Sequence, residues 1–238
     1  MKHINLLPGW GLAAHSMHPL RSALLERLEG VNVHIQPLPA IQLSSLETDL
    51  SSLAQQLKPG VLVGWSLGGM LAVQLSRRFP EHFPRVVTLA SNACFVERRD
   101  WPAAMPTDAY KAFYQSYRDD PRQALKRFAL LVTQGSSQAR QLSRELRWDG
   151  LTAEQRQHGL AVLGMLDNRV ALRSPLQPML HCFAAQDALV PVAAAEAIGA
   201  LHASSRIAIS YQASHALPLE QPQWLAAEIA GWLESAGG

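Results

Sequence analysis

Three side chains in this sequence have the types and the chain order that nucleophilic acyl transfer needs. Ser66 lies in Gly64-Trp65-Ser66-Leu67-Gly68, a G-x-S-x-G pentapeptide. A serine hydroxyl attacks poorly until a base takes its proton, and that base needs a third group to orient it. Asp187, in Ala184-Ala185-Gln186-Asp187-Ala188-Leu189, and His215, in Ala213-Ser214-His215-Ala216-Leu217-Pro218, complete the order serine, acid, histidine. The pentapeptide alone is a weak signal, because glycine-rich turns are common. Its setting carries the argument: it follows the apolar run Val61-Leu62-Val63 and opens an amphipathic stretch from Leu67 to Arg78. That is the strand–turn–helix context of a nucleophile elbow. Glycines two places before and after the serine relieve the crowding of so sharp a turn.

The competing residues fit less well. His3 and His34 fall inside strand-like runs, and His15 and His18 lie early in the chain. His82, His158, His181 and His202 read as surface or helical positions. Asp167 is the nearest rival acid, but it ends a helical pattern rather than a core strand. Cys94 and Cys182 are far apart, lack any CxxC spacing and read as small buried residues. An oxyanion needs backbone N–H donors, one just after the nucleophile and one after the first strand. Leu67 supplies the first, and the turn Pro8-Gly9-Trp10-Gly11 offers Trp10 as the second.

These residues must be held by a scaffold, and the hydrophobic pattern describes one. Short apolar runs at Lys2–Leu7, Val31–Leu38, Gly60–Trp65, Arg85–Ala90, Pro178–Ala184 and Ser205–Tyr211 read as strands. Amphipathic segments at Pro19–Leu28, Ser45–Leu57, Leu67–Arg78, Ala193–Leu201 and Pro222–Glu234 alternate with them, as in a parallel α/β sheet covered on both faces. Asp187 and His215 each follow a late strand, so both reach the same edge of that sheet. Between about Phe95 and Pro175 the rhythm becomes helix only, at Asp108–Tyr117, Pro121–Thr133, Ser136–Leu146 and Thr152–Leu166. Such a block between two strands reads as an inserted cap. From Pro102 to Pro175 it holds 11 Lys and Arg against 7 Asp and Glu, so the basic charge of the chain sits there.

Composition narrows the functional class. The 238 residues are 48% hydrophobic and 17% charged, enough for a sizeable core and too apolar for a disordered chain. A net charge of +2 gives no general nucleic-acid footprint. No apolar run is long enough to span a membrane, and the stretch before Pro8 is too short for a secretory h-region, so a cytoplasmic protein is expected. No HExxH, P-loop or dinucleotide fingerprint is present, and no metal or organic cofactor is implied.

Taken together, Pro8-Gly9-Trp10-Gly11, Gly64-Trp65-Ser66-Leu67-Gly68-Gly69, Ala90-Ser91-Asn92-Ala93-Cys94-Phe95 with Trp101-Pro102, and Lys126-Arg127-Phe128-Ala129-Leu130-Leu131 identify a resemblance. The chain resembles, over essentially its whole length, the pimeloyl-[acyl-carrier protein] methyl ester esterases of biotin synthesis, which are α/β-hydrolases. The resemblance implies an α/β-hydrolase fold with core segments 1–97 and 175–238 and a helical cap at 98–174. It implies Ser66, Asp187 and His215 as the triad and Trp10 and Leu67 as the oxyanion donors. It also implies that Trp10, Trp65, Phe128 and Leu131 line the acyl pocket, and that Arg127, Arg140 and Arg144 contact an acyl carrier protein. Arg122 stands beside another such position, which is Gln123 here. The partner implied is that carrier protein bearing the methyl pimeloyl group, with the enzyme itself a monomer.

Two features depart from the family pattern. Pro8 stands where a histidine is frequent, and proline has no N–H to donate, though Trp10 keeps the expected donor. The chain also begins almost at the first parallel strand, so a trimmed sheet of about six strands is expected. Arg140 and Arg144, four apart on a helical pattern, share a face that Arg147 extends. The plain alternative is a solvated basic face, just as core packing is the plain alternative for Trp65 and Phe128. Rival functions are a short-chain carboxylesterase of broad specificity, an acyl thioesterase, and a non-catalytic ligand-binding relative. Dehalogenases and epoxide hydrolases place an aspartate where Ser66 stands.

Overall fold

A computed structural model describes residues 2–173 and 177–235. The chain runs β1 (His3–Leu7), α1 (His18–Arg27), β2 (Asn32–Ile35), α2 (Leu46–Gln56), β3 (Val61–Trp65), α3 (Leu67–Arg78) and β4 (Arg85–Leu89). Then come α4 (Thr107–Asp119), α5 (Pro121–Thr133), α6 (Ala139–Glu145), α7 (Ala153–Met165) and α8 (Arg169–Arg173). It closes with β5 (Met179–Ala184), α9 (Ala193–Leu201), β6 (Arg206–Ser210), α10 (Leu217–Glu220) and α11 (Pro222–Ser235).

The six strands form one parallel sheet in the order β2-β1-β3-β4-β5-β6. Two interior strands, β3 and β5, are buried at every position, which is why their sequences are nearly unbroken in apolar residues. One helix layer pairs α1 with α11; the other runs α2 on α3, α3 on α8 and α8 on α9. The strand order reverses between β1 and β3, and such a switch point opens a crevice beyond the carboxyl ends of the strands. The loops after β1, β3, β5 and β6 all emerge on that side, carrying Trp10, Ser66, Asp187 and His215.

Helices α4 to α7 lie between β4 and β5 in the chain, in the segment expected to be a cap, with α5 packing on α4 and α6, and α7 on α4. Two of these helices have a capped start. Asp120 accepts the Gln123 N–H at the head of α5, where Pro121 needs no partner. Thr152 and Gln155 form a reciprocal capping box on α7. The cap is sewn to the loop after β1 by Ala13 N–H to Arg147 O (2.9 Å), Asp149 N–H to Gly11 O (2.9 Å) and the Trp10 indole N–H to Arg156 O (2.7 Å). The expected return from cap to core at 174–175 lies outside the described residues. Already at Asn168, however, the chain is bonded to the core: its N–H donates to Ala93 O at 2.8 Å and its amide to Met70 O at 3.0 Å.

Several expectations need correction. Helix α6 is shorter than the pattern suggested, because Ser136 closes a turn by accepting the Gln138 N–H and Leu146 is already extended. Arg147 therefore lies beyond the helix and does not extend the Arg140–Arg144 stripe; its guanidinium binds the Arg144 and Leu146 carbonyls. His181 and His202 are not surface residues: both are 1% exposed, their rings 6.1 Å apart between β5 and the end of α9. Among the described residues no helix is long and apolar enough to cross a membrane.

Candidate active site

Ser66 occupies the turn between β3 and α3 with φ 55° and ψ −118°, a conformation that a side chain adopts only under strain. The turn closes because its glycines permit backbone-on-backbone contact. A Cβ at Gly64 would stand 2.2 Å from the Gly68 carbonyl oxygen, and one at Gly68 would stand 2.4 Å from that of Pro8. The Ser66 N–H donates to Leu89 O at 2.9 Å, while its carbonyl accepts from Gly69 N–H, Met70 N–H and the Ser91 hydroxyl. With its hydroxyl on a helix N-terminus and 6% of the residue exposed, Ser66 is shielded but reachable.

The Pro8-Gly9-Trp10 turn lies directly against it. A Cβ at Gly9 would come 3.4 Å from Ser66 Cβ. The Trp10 and Leu67 backbones thus flank the serine from two elements, the end of β1 and the start of α3. Donors fixed in this way need no reorganisation when charge develops beside them.

His215 and Asp187 are joined: His215 Nδ1 donates to Asp187 Oδ2 at 2.7 Å, with both side chains 1% exposed. The other carboxylate oxygen accepts the Leu189 and Val190 N–H groups at 2.7 and 2.9 Å. The aspartate is therefore locked in one orientation by three donors. The Trp65 indole N–H donates to His215 O at 2.9 Å, tying the histidine loop to the residue before Ser66. Trp65 is fully buried, and its place in the structure is this tie rather than the wall of the cavity described below.

That cavity, of about 170 Å³, opens beside the aspartate loop. Ala188 and Leu189 form one wall; Phe95, Met105, Phe113, Phe128, Leu131, Leu160 and Leu163 form the others. It is apolar and below the roughly 300–1,000 Å³ of drug-sized ligand sites, so it suits a slim chain. Trp10 abuts Phe128 edge-on at 5.0 Å and lines a narrower cleft with Leu67 and Arg156. Arg122, Arg127, Arg140 and Arg144, the arginines expected to meet a carrier protein, are all exposed. Arg140 and Arg144 face one open groove on α6, which Glu145 also borders.

The rival groups are engaged elsewhere. Asp167 is held by the Arg169 guanidinium at 2.7 Å, which keeps its carboxyl low, at about 2. Burial, with Asp167 nearby, pushes the Cys94 thiol up to about 11, leaving it un-ionised at neutral pH. Ser91, which supports the elbow through its hydroxyl, is a functional residue that the motifs do not single out; its place two residues after β4, on the same sheet edge as Ser66, is the signal for it.

Comparison with known proteins agrees with this architecture. The model of the alpha/beta hydrolase family matches residues 6–228. The biotin biosynthesis bifunctional protein BioHC of Cellvibrio japonicus is 38% identical over 237 residues, 97% of this chain and 47% of that one. The chain spans somewhat under half the length of such bifunctional relatives. The pimeloyl-[acyl-carrier protein] methyl ester esterase of Salmonella paratyphi A is 33% identical over 232 residues, 92% of this chain and 89% of that one. Among solved structures, a bromoperoxidase from Bacillus anthracis superposes with a TM-score of 0.82 at 18% identity, over 98% of this chain and 92% of that one. With the family model matched over nearly its whole length, this chain belongs to the alpha/beta hydrolase family.

Proposed function

We propose that the chain is a serine carboxylesterase that hydrolyses the methyl ester of a pimeloyl group carried on acyl carrier protein. The observation that carries this reading is the joint geometry of a strained elbow serine and a buried, three-donor Asp187–His215 pair. The substrate is suggested by the names of the relatives at 38% and 33% identity and by the slim apolar cavity.

Ser66 Oγ attacks the ester carbonyl as His215 Nε2 takes its proton, and the Trp10 and Leu67 N–H groups hold the oxyanion. Collapse of the tetrahedral species expels methanol, protonated by His215. A water then gives its proton to the same imidazole and attacks the acyl-serine; Ser66 leaves and the free acid forms. Asp187 keeps the proton on Nδ1, so that Nε2 is free to accept, and stabilises the imidazolium. The pimeloyl methylenes lie along Phe128 and Leu131. Arg122, Arg127, Arg140 and Arg144 face the acidic carrier protein, where complementary charge sets encounter rate and orientation. The enzyme acts as a cytoplasmic monomer.

A fluorophosphonate probe tests the nucleophile. One adduct on wild type, located to Ser66 by peptide mass spectrometry and lost in Ser66→Ala, is expected. Labelling that survives in Ser66→Ala, or none on wild type, would remove the serine mechanism.

A further inference from the structure

The Asp187–His215 pair is gripped through its neighbours as well as directly. Ser214, the residue before the histidine, is fully buried. Its N–H donates to Glu220 Oε2 at 2.8 Å, and its hydroxyl meets the same carboxylate and lies 3.2 Å from the carbonyl of Val132, in the last turn of α5. The Ala216 N–H donates back to Ser214 Oγ at 3.2 Å. A hydroxyl has one proton to give and two lone pairs to receive with. Here the one proton is shared between two acceptors, Glu220 Oε2 and Val132 O, and one lone pair receives the Ala216 N–H, so these contacts bracket His215 on both sides.

The end of α5 reaches the acid loop too. Gly135, at φ 94°, packs so closely on Gln186 that a Cβ there would stand 2.3 Å from the Gln186 carbonyl oxygen. Gln186 precedes Asp187, and its N–H donates to Ala213 O at 3.0 Å, joining the two loops. The same helix carries Phe128 and Leu131 into the apolar cavity. One helix end therefore meets the acid loop and the base loop, and one helix face meets the cavity.

We infer that Ser214 and Glu220 are positioning residues for His215, holding its backbone against the terminal turn of α5 so that Nε2 is aimed at Ser66. The inference rests on the triad reading above. The Asp187 bond fixes only the Nδ1 end of the ring and the Trp65 indole holds only the His215 carbonyl, which leaves the backbone on either side of the histidine to be restrained. A misplacement of about 1 Å can cost about a hundredfold in rate.

The test compares Ser214→Ala, Glu220→Ala and Glu220→Gln in the full chain, with Ser66→Ala as the reference. It reads kcat and KM on p-nitrophenyl butyrate, the second-order rate of fluorophosphonate labelling, and Tm. Ser214→Ala and Glu220→Ala should lower kcat and the labelling rate about tenfold or more with KM within about twofold. Glu220→Gln, which keeps an acceptor for the Ser214 N–H, should restore most of both. Ser214→Ala, which deletes one oxygen, carries the test if Glu220→Ala does not fold. Rates within twofold of wild type in Ser214→Ala, or losses in Tm without losses in labelling, would overturn the inference. So would Glu220→Gln being as slow as Glu220→Ala, since charge rather than placement would then be the cause. Activity persisting in Ser66→Ala would instead defeat the triad reading itself.

Discussion

Replacing Asp187 by asparagine tests whether the orientation of the imidazole, rather than its mere presence, limits the reaction. In the native structure Oδ1 accepts two backbone N–H groups and Oδ2 accepts His215 Nδ1. An asparagine could present its amide in two ways. Turning the NH2 towards Leu189 and Val190 would set donor against donor at two shielded N–H groups, at about 1–3 kcal/mol each. The amide oxygen therefore stays with the backbone and the NH2 faces the histidine. Nδ1 must then accept, which moves the ring proton to Nε2, where the Ser66 proton should go. The base is present and wrongly protonated. A fall in kcat of about ten-thousandfold is expected, near 5 kcal/mol of barrier, with KM and Tm little changed. Stopped-time assay of a simple methyl ester, with circular dichroism melting as a control, measures both. A loss below about tenfold would refute the reasoning, because Asp187 would then not govern the tautomer.

Three further outcomes follow from other parts of the molecule. Arg140→Glu with Arg144→Glu should lower kcat/KM for the carrier-bound ester about tenfold or more, and weaken its salt dependence, while leaving a free methyl ester unaffected; equal rates on the carrier substrate would show a merely solvated face. Gly64→Ala places a Cβ 2.2 Å from the Gly68 carbonyl oxygen, so soluble yield and Tm should collapse, and a variant melting within about 3 °C of wild type would contradict the elbow geometry. Burial pushes the His181 imidazole down to about 3, so it stays neutral in the fold while the unfolded chain binds a proton from about pH 6.5 downward. Stability is then retained above that range and lost as the pH falls towards 3, by about 1.4 kcal/mol per pH unit. Urea melts should show His181→Gln with a slope shallower by that amount, and an unchanged slope would count against it.

Much of this architecture is visible in the amino-acid sequence, because its signals are periodic or local. The six strands are apolar runs bounded by turn residues, and α3, α5 and α9 begin and end where their patterns do. The elbow is legible because strand, glycines and helix adjoin in sequence. Asp187 and His215 are legible because parallel strands deliver the residues that follow them to one edge. What escapes is tertiary. Helix α8 is only five residues and starts on an aspartate turn, Arg169 N–H to Asp167 Oδ1, that no hydrophobic period announces. His181, read from its residue type as a surface or helical position, lies inside β5, and its burial depends on α9 and His202 closing over that face of the sheet. Trp65 is an aromatic beside the serine, which suits a pocket wall equally well in sequence; only the indole bond to His215 O distinguishes a tie from a wall. Likewise the Ser214–Glu220–Val132 contact joins residues 6 and 82 positions apart, tying the histidine loop to α10 and α5.

The most direct measurement is intact-protein mass spectrometry of methyl pimeloyl-acyl carrier protein incubated with wild type and with Ser66→Ala, beside a free methyl ester at the same concentration. The account predicts loss of 14 Da, within about 1 Da, from the carrier species with wild type only, and faster than hydrolysis of the free ester. An unchanged carrier species beside rapid turnover of the free ester would contradict it and leave a general esterase.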